Sequence, residues 1–349
     1  MKADDPVPYL CPYTRDPLSL EVHELSGGEV RRGTLRTPSG STYDVADGIA
    51  QLIDFSRESF TEPEQRELAF YQAAASDYDA TMEWVFKSFY ENEDAVRETM
   101  LDPLRVGAGA NVLETGCGTG RDSIRIARRL DAGGHLYLQD LSPNMLRIGK
   151  EKIDGARSRG EIDCKVEFFT GNAVTLPFPD GSFDAAFHFG GINLFGDKTK
   201  AIAEMARVVR KGGRVVIGDE GLAPWLRTTE YGRILMNSSA LYAYSTPLEA
   251  LPSSAREVSL QWIIGNAYYL VAFTVGEGSP PLDMDLPIVG RRGGTHRTRY
   301  YGALEGVTAG TKQLVADAAV REGVTLHEWL EQVLSDRAKK DLEGAGNPS

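Results

Sequence analysis

Alternating glycines follow an acidic residue in one stretch of the chain, Glu114-Thr115-Gly116-Cys117-Gly118-Thr119-Gly120. A short apolar run, Asn111-Val112-Leu113, precedes this stretch, and a helical pattern, Ile124-Arg125-Ile126-Ala127, follows it. Glycine allows the backbone to turn tightly and lets a ligand lie directly against the main chain. The stretch therefore predicts a nucleotide-cofactor site at a strand-to-helix turn.

The spacing of the glycines excludes two common cofactor classes. A dinucleotide turn needs G-x-G-x-x-G, but Gly116, Gly118 and Gly120 are followed by Arg121, so the third glycine comes one residue early. The stretch also lacks the G-K-[ST] ending of a phosphate-binding loop. The other strand-turn-helix nucleotide cofactor is S-adenosylmethionine, which has no pyrophosphate but carries an ammonium group, a carboxylate and a ribose diol.

Those groups need an acidic residue near the turn and a second one at the end of the next strand. Glu114 opens the turn, and Asp140 ends the predicted strand 135–139, twenty residues beyond Gly120. A carboxylate at that position can accept hydrogen bonds from both ribose hydroxyls. Ser142-Pro143 then indicates the start of a helix, because proline is favoured in the first turn.

Four motifs together resemble the class I S-adenosylmethionine-dependent methyltransferases, in particular the ubiquinone/menaquinone-biosynthesis type. They occur in the family's order and are 112–120, 140–146, 171–184 and 204–213. The resemblance implies an α/β fold with a Rossmann-like, seven-stranded, mostly parallel sheet and helices on both faces. It also implies S-adenosyl-L-methionine as cofactor, S-adenosyl-L-homocysteine as product, and no metal.

The resemblance further implies cofactor-binding residues in the turn, at the following strand ends and in a helical lid. They are Tyr71, Tyr78, Glu114, Gly116, Cys117, Gly118, Gly120, Asp140, Leu141, Met145, Asn172, Ala173, His188 and Gly190. Many family members have Asp where this chain has Asn172, but an amide both donates and accepts, so adenine contact is still expected there. Two alternatives stay open: Asn172 as a turn residue and Met145 as a core residue.

The methyl acceptor should lie at the carboxyl ends of the strands. Residues after the fourth and fifth predicted strands belong to that edge, and the stretch 221–262, the least family-like part, is rich in aromatic residues. A general base is needed only when the nucleophile arrives protonated. The candidates are Asn193, Trp225 and Tyr242 for substrate contact, and His188 and Glu220 for catalysis. A structural role is the alternative for each of them.

Composition limits the choice of partners and compartment. The chain has 349 residues, 42% hydrophobic content and a formal net charge of −12. This acidity disfavours nucleic acid as a partner, because its backbone must be met by Lys and Arg. No apolar run is long enough for a membrane span, and three widely spaced cysteines do not form a disulfide framework. These features predict a cytoplasmic protein with no membrane association.

Three parts are predicted along the chain: residues 1–60, 61–278 and 279–349. The first resembles a zinc ribbon that kept its fold signals and lost its metal. Only Cys11 of its cysteines remains, with Thr14, Arg36 and Ser39 at the other ligand positions, and one thiolate cannot build a zinc site. An unrelated β-rich cap is the alternative.

The second part is the predicted methyltransferase domain. A helix is predicted from Glu64 to Tyr90, with lid residues at 70–72 and 77–79. From Asn111 onward strands alternate with helices, which predicts a parallel sheet. The run Tyr268–Phe273 is predicted to be an antiparallel strand at the edge of that sheet.

The third part begins with a linker at Pro280-Pro281. A basic patch follows, made of Arg291, Arg292, His296, Arg297 and Arg299. Two helices are predicted near 311–319 and 325–334, and they resemble the helical half of ribbon-helix-helix modules, which dimerise. The extension is therefore a possible homodimerisation element, with a hairpin packed on the parent domain as the alternative. The tail from Glu343 to Ser349 is expected to be disordered.

These observations predict a methyltransferase that moves a methyl group to the oxygen, nitrogen or carbon of a small-molecule acceptor in secondary or cofactor metabolism. One alternative is an RNA or protein methyltransferase, since zinc-ribbon-like segments also activate such enzymes. The other is a non-catalytic regulator that binds S-adenosylmethionine, because an intact binding motif does not by itself establish turnover.

Overall fold

A computed structural model describes residues 7–75, 77–289, 294–302, 304 and 307–344. The chain forms two compact units, Met1–Ser279 and Pro280–Ser349. The first unit holds both the N-terminal β-rich segment and the alternating strands and helices. No helix of the described residues has the length and apolar character that crossing a membrane requires.

One eleven-stranded sheet runs through the first unit, in the order β1-β2-β3-β4-β7-β6-β5-β8-β9-β11-β10. Its strands are β1 (Ser19–Ser26), β2 (Glu29–Arg36), β3 (Thr42–Ala46), β4 (Ile49–Gln51), β5 (Asn111–Thr115), β6 (His135–Asp140), β7 (Lys165–Thr170), β8 (Phe183–Phe189), β9 (Val209–Glu220), β10 (Ala255–Ile263) and β11 (Tyr268–Val275). Neighbours from β4 to β9 run parallel, and both ends of the sheet are antiparallel.

The predicted α/β class is confirmed, but the predicted number of strands is too small. The seven expected strands form the part of the sheet from β7 to β10. Four N-terminal strands continue the same sheet, because β4 lies parallel to β7 with Ala50 opposite Phe169. A parallel partner at that edge gives β7 a neighbour on both sides, as buried parallel sheets need.

The predicted edge position of Tyr268–Phe273 is wrong. This run is antiparallel, but it belongs to β11, which lies between β9 and β10. Seven of the eight residues of β11 are buried, whereas none of β10 is. The continuous apolar run of β11 therefore indicates an interior strand, and the mixed pattern of β10 is typical of an edge.

Helices cover both faces of the sheet. In the first unit they are α1 (Glu62–Ala74), α2 (Tyr78–Ser88), α3 (Glu93–Leu101), α4 (Ser123–Arg129), α5 (Pro143–Ser158), α6 (Lys198–Val208) and α7 (Glu230–Ser238). Successive residues of β5 point to opposite cores: Val112 packs in the core that contains α4 and α5, and Leu113 in the core that contains α6. This alternation is the period of two expected for a strand buried on both faces.

The helix start predicted at Ser142-Pro143 is confirmed, and the structure shows a second capped start at Thr61. Thr61 caps α1 in a reciprocal capping box with Glu64, and Ser142 caps α5 with Pro143 in its first turn. The single helix predicted from Glu64 to Tyr90 is instead two helices, since α1 ends at Ala74 and α2 begins at Tyr78.

The N-terminal segment packs into the core of the first unit. The Tyr9 ring is buried, with its centroid 5.5 Å from those of both Phe169 and Phe178. The backbone N–H of Leu10 donates to the carbonyl of Pro177 at 2.9 Å. Aromatic contacts of this kind add to the burial of apolar area, so the segment is anchored at the end of β7 and in the loop beyond it.

Hydrogen bonds join the positions at which a zinc ribbon would hold its metal. The buried Cys11 Sγ lies 3.1 Å from the Tyr43 hydroxyl. Thr14 and Ser39 both donate to the same oxygen of Asp16, at 2.9 and 3.4 Å. Among the residues that the structure describes, no group of three or more His, Cys, Asp or Glu side chains could hold a metal ion.

The second unit contains α8 (His296–Tyr301), α9 (Ala309–Glu322) and α10 (Leu326–Gly344). α9 ends at Gly323, whose φ of +71° makes the left-handed C-cap that glycine favours. α10 packs against both α8 and α9. It extends into the tail predicted to be disordered. The rest of that tail, and Arg291 and Arg292 of the basic patch, lie outside the described residues.

Candidate active site

The glycine-rich turn connects β5 to α4 at the carboxyl edge of the parallel strands. Gly116, Gly118 and Gly120 have φ values of +61°, +54° and +77°, a region that L side chains rarely adopt. Gly120 also approaches α5, because a Cβ there would lie 3.2 Å from the Cα of Gly149. Backbone conformation and close helix approach therefore both require glycine in this turn.

Asp140, at the end of β6, holds the turn in place. Its Oδ2 accepts a hydrogen bond from the Gly118 N–H at 2.9 Å, and its Oδ1 accepts one from the Ser142 N–H at 2.8 Å. Burial raises the pKa of Asp140, against these backbone donors, which lower it. An ionised carboxylate has about four acceptor sites, so acceptor capacity remains for a ligand hydroxyl.

Gln139, which the sequence analysis missed, braces the same turn. Its Oε1 accepts from the Gly116 N–H at 3.1 Å, and its Nε2 donates to the carbonyl of Gly171. Gln139 thus connects the glycine turn to the loop after β7. The available signal was a buried polar residue at the end of the apolar strand 136–138, because buried polar groups need partners.

Glu114 is turned inward from the turn it opens. It is 3% exposed, and its Oε2 accepts a hydrogen bond from the Ser123 hydroxyl of α4 at 2.6 Å. Burial, and then the nearby Asp122 carboxylate, raises the pKa of Glu114 well above its usual value. Burial, and then the charge of Glu114, also raises the pKa of the Cys117 thiol, so Cys117 is not an activated nucleophile.

A network of charged groups, here called the lid latch, joins α2 to the glycine turn and to α5. Its members are Asp79, Thr119, Arg121 and Lys152. The Thr119 hydroxyl donates to Asp79 at 2.6 Å, Arg121 lies 3.2 Å from the same carboxylate, and Lys152 also pairs with it. Burial alone would raise the pKa of Asp79, but hydrogen bonds from Lys152 and Thr119 hold it below its usual value.

A second ion pair, between α3 and the start of α4, lies beside the latch. The buried Arg97 donates from Nη1 to both oxygens of Asp122, at 2.8 and 2.7 Å, and from Nε to Glu93 at 2.6 Å. A buried guanidinium is tolerated only with such partners. The sequence motifs did not indicate this ion pair, since its partners are far apart in the chain.

The predicted lid tyrosines lie together beside the turn. The ring centroids of Tyr71 and Tyr78 are 6.1 Å apart and the rings are near-perpendicular. A Cβ on Gly118 would point toward the Tyr78 ring, 4.0 Å away. Behind the turn Met145 is buried, and Leu141 is half-buried. The lid rings therefore face the bare backbone of the turn.

Asn172 has both of its polar atoms engaged within the protein. Its Oδ1 accepts from the Val174 N–H at 3.1 Å, and its Nδ2 donates to Glu58 Oε2 at 2.7 Å. Ala173 is buried beside it. Asn172 is therefore a turn residue and also a contact with the N-terminal segment. No motif pointed to Glu58, because it lies outside the family-like stretches.

His188 is fully buried beneath the turn. Its Nδ1 lies 2.8 Å from the Thr115 carbonyl, so Nδ1 carries the proton and the lone pair of the neutral ring is on Nε2. Burial lowers the pKa of His188, and Nε2 has no partner among the described residues. A Cβ on Gly116 would lie 3.0 Å from the ring. Gly190, with φ +83°, continues the chain beyond the strand.

The loop after β8 is tied to the end of β9. The Asn193 N–H donates to Asp219 Oδ2 at 2.7 Å, and Asn193 Nδ2 donates to the carbonyl of Glu220 at 2.6 Å. The Tyr269 hydroxyl donates to Asn193 Oδ1 at 3.3 Å. The side chain predicted to contact substrate is thus engaged at both ends inside the protein, where it positions Glu220.

Glu220 lies beside three packed aromatic rings, Phe89, Tyr242 and Tyr268, and this group is called the acceptor pocket because it is the candidate acceptor site. Tyr268 lies next to Glu220, and its ring centroid is 5.9 Å from that of Tyr242 and 6.4 Å from that of Phe89. Burial, and then Asp219, raises the pKa of Glu220 well above its usual value. The aromatic rings therefore surround a carboxyl group whose pKa is raised.

Trp225, the third predicted substrate residue, packs on Trp262 with ring centroids 5.0 Å apart and is 59% exposed.

A separate cavity of about 520 Å³ lies at the amino ends of the strands. Its basic residues already have partners: Arg207 pairs with Asp180 and Glu204, and Lys211 with Glu277. We assign no site there.

Comparison with known proteins finds a family match in the central part of the chain. Residues 61–221 match the model of the ubiE/COQ5 methyltransferase family. This stretch, which is less than half of the chain, is similar to that family. It includes the glycine turn, Asp140, Asn172, His188 and Glu220, whereas Glu58, Tyr242 and Tyr268 lie outside it. The family-like region thus supplies the glycine turn with Gln139 and Asp140, here called the cofactor edge because it is the candidate cofactor site, and only part of the acceptor pocket.

Curated relatives of the ubiE/COQ5 type match over part of their length. The demethylmenaquinone methyltransferase of Listeria welshimeri is 37% identical over 123 residues, 35% of this chain and 50% of that protein. The ubiquinone/menaquinone biosynthesis C-methyltransferase UbiE of Idiomarina loihiensis is 33% identical over 173 residues, 49% of this chain and 66% of that protein. The chain spans about half the length of the first of these relatives.

Solved structures resemble the chain more distantly. A SAM dependent methyltransferase from Aquifex aeolicus is 20% identical with a TM-score of 0.38, covering 51% of this chain and 89% of its own. Phosphoethanolamine N-methyltransferase 2 of Haemonchus contortus is 14% identical with a TM-score of 0.44, covering 59% of this chain and 60% of its own. Scores this low support no conclusion about the site.

Proposed function

We propose that this protein binds S-adenosylmethionine at the carboxyl edge of its parallel strands and transfers the methyl group to a small-molecule acceptor. The observation that carries the proposal is the glycine turn held by Asp140, with the Gly118 N–H 2.9 Å from its carboxylate, inside a region similar to the ubiE/COQ5 family.

The residues present fit this cofactor. Asp140 has acceptor capacity for the ribose hydroxyls, and the bare backbone of Gly116 and Gly118 leaves space for the amino-acid part beside Tyr78. Glu114 lies buried beneath the turn and accepts a hydrogen bond from the Ser123 hydroxyl, so it holds α4 against the turn. The adenine would lie toward Asn172 and Ala173. The cofactor supplies an electrophilic methyl group, and the protein supplies proximity and orientation.

The acceptor pocket favours an acceptor with an apolar or aromatic ring. Phe89, Tyr242 and Tyr268 present ring faces and edges, and Trp225 lies exposed on the same stretch that follows β9. The names of the relatives indicate a demethylated menaquinone in that role for those proteins. A planar aromatic ring of the same general class fits the rings here.

Glu220 is the better candidate for a general base. It lies among the pocket rings, and its raised pKa makes the ionised carboxylate a stronger base toward an acceptor hydroxyl or carbon acid. His188 donates from Nδ1 to the backbone and is buried beneath Gly116, so its role is to support the turn and the cofactor. We therefore assign the base to Glu220 and a supporting role to His188.

Calorimetry with S-adenosylhomocysteine, followed by an assay with labelled S-adenosylmethionine and quinone or phenol acceptors, tests the proposal. We expect binding, and methyl incorporation that Glu220→Gln slows by about a hundredfold while binding persists. Absence of binding would refute the cofactor assignment. Binding without methylation of any small molecule would favour a regulator, and methylation of RNA or protein would favour the macromolecular alternative.

A homodimer through the C-terminal extension is a further part of the proposal. Leu314, Val320, Leu334 and Leu342 of α9 and α10 are 60–79% exposed, and a second copy would bury such side chains. Sedimentation of the full chain tests this: a dimer that Leu334→Lys converts to a monomer supports it, and a wild-type monomer excludes it.

Three free cysteines support a cytoplasmic location.

A further inference from the structure

The carboxylate of Glu58 lies beside the loop after β7, although Glu58 precedes the family-like region. The topology explains how it gets there. Because β4 is parallel to β7, the chain leaves β4 at the carboxyl edge of the sheet, and the Leu52 N–H still donates to the Thr170 carbonyl at 3.0 Å. The segment 52–60 therefore lies along the same edge as the glycine turn and Asp140.

Two contacts fix Glu58 there. Its Oε2 accepts from Asn172 Nδ2 at 2.7 Å, and its Oε1 accepts from the Tyr13 hydroxyl at 2.7 Å. Tyr13 is itself held, because its oxygen accepts the Asp54 N–H at 2.9 Å and the Arg57 guanidinium lies 5.3 Å from its ring centroid. The carboxylate is thus positioned by the N-terminal segment and presented to Asn172.

The orientation of Asn172 leaves its side chain without a free acceptor. Asn172 Oδ1 is occupied by the Val174 N–H at 3.1 Å, so the amide offers N–H donors rather than an oxygen. Adenine presents a donor, its 6-amino group, beside an acceptor, N1. A carboxylate and an amide N–H held side by side are complementary to that edge.

We infer that Glu58 is a cofactor-specificity residue, which accepts the adenine 6-amino group while Asn172 donates to N1. The acidic residue that the loop itself lacks is supplied by the N-terminal segment. Tyr13 is a positioning residue, since it acts through Glu58. This inference rests on the proposed function, because it requires the adenosyl group at this edge.

The test measures calorimetric affinity for S-adenosylhomocysteine and for its 6-deamino analogue, in which the amino donor is absent and N1 remains an acceptor. Wild-type protein should prefer the adenine compound by roughly tenfold or more, the value of one charge-assisted hydrogen bond. Glu58→Gln removes the charged acceptor of the amino group, so the preference should fall to within about threefold. Tyr13→Phe should reduce it by roughly threefold. Glu29→Gln, at an exposed position of the same segment, is the matched control and should change nothing.

Exchanging the carboxyl and amide side chains between positions 58 and 172 should restore adenine binding. Asn172→Asp alone places two carboxylates together and should weaken adenine binding, whereas Asn172→Asp with Glu58→Gln restores one acceptor and one donor and should recover it to within about threefold. Melting temperatures exclude unfolding as the cause. Wild-type binding with an unchanged preference in Glu58→Gln would overturn the inference alone. Failure of the wild-type protein to bind the adenine compound would overturn the proposed function.

Discussion

The cofactor edge and the acceptor pocket lie side by side but are built by different means. At the cofactor edge, the glycine turn is held by backbone N–H groups that donate to Asp140 and Gln139. In the acceptor pocket, side-chain rings from α2, β11 and the segment after α7 surround one carboxylate, Glu220. The cofactor edge depends on backbone conformation, and the acceptor pocket depends on contacts between side chains of different elements.

This difference teaches why the two functions can change separately. Backbone contacts constrain residue type tightly, because only glycine adopts these φ values without strain. Ring contacts tolerate exchange, because many apolar side chains fill a similar volume. The family match ends at Gly221, before Tyr242 and Tyr268. Cofactor binding should therefore be the shared property, and acceptor choice the property particular to this chain.

The largest effect should come from charge reversal at the cofactor edge. Asp140→Lys removes the acceptor for the Gly118 N–H and places a cation where the ribose diol would lie, so affinity for S-adenosylhomocysteine should fall by at least about a hundredfold. Calorimetry measures this. Asp163→Lys, at an exposed position before β7, is the charge-matched control. Equal binding by both variants would contradict the assignment of the cofactor edge.

Substitution in the acceptor pocket should reduce turnover and not cofactor affinity. Glu220→Gln should lower kcat by about a hundredfold, the usual contribution of a general base, with cofactor affinity unchanged. In the wild-type protein kcat should rise with pH through the raised pKa of Glu220, because a base must be ionised, and this limb should vanish in the variant. The exposed Glu230→Gln is the control. A parallel loss of cofactor affinity would erase the distinction between the two regions.

Glu220→Gln should also change how the free energy of unfolding depends on pH. The pKa of Glu220 is higher in the folded protein than its ordinary value of 4.5, so folding favours the protonated form. The stabilisation is complete below pH 4.5 and is lost as pH rises through the raised folded pKa. Urea unfolding at several pH values should show this decline in the wild-type protein and a flatter profile in Glu220→Gln.

Glycine substitutions separate backbone strain from close packing. Gly120→Ala adds a Cβ at positive φ and 3.2 Å from Gly149, and should cost about 2–3 kcal/mol of unfolding free energy. Gly27→Ala, also at positive φ but with no atom within 4 Å, should cost about 1 kcal/mol. Urea denaturation compares them. Equal costs would show that α5 does not restrict the turn.

The smallest effect should come from the lid latch. Asp79→Asn weakens the pairing with Lys152 and Arg121, so affinity for S-adenosylhomocysteine should fall by about fivefold, and the wild-type affinity should decrease with added salt. Glu83→Gln, on the exposed side of the same helix, should have no effect. If the two variants bind alike, α2 does not contribute to the cofactor edge.

The sequence predicted the parts of the molecule that depend on local backbone chemistry. The glycine turn, the strand ending at Asp140 and the Ser142 cap all follow from residue types within a few positions of each other. The site residues remain predictions, but the structure brings Tyr78, Gly118 and Asp140 together.

Contacts between distant segments could not be predicted in this way. Asp79 meets Lys152, Arg97 meets Asp122, and Glu58 meets Asn172 only once the helices and the sheet are assembled. The interior place of β11 also depends on the order of strands, since an apolar run is compatible with several positions in a sheet. A single sequence does not contain those pairings in any local pattern.

The parallel pairing of β4 with β7 also has a consequence for how the chain can be divided. Removing residues 1–60 would leave β7 as a bare border with unpaired backbone groups, and would uncover Phe169 and Phe178 where Tyr9 now covers them. Such borders recruit strands from other molecules. The N-terminal segment is therefore no detachable accessory: a shortened chain that begins at the family boundary would be prone to self-association, and its solubility would depend on restoring that border.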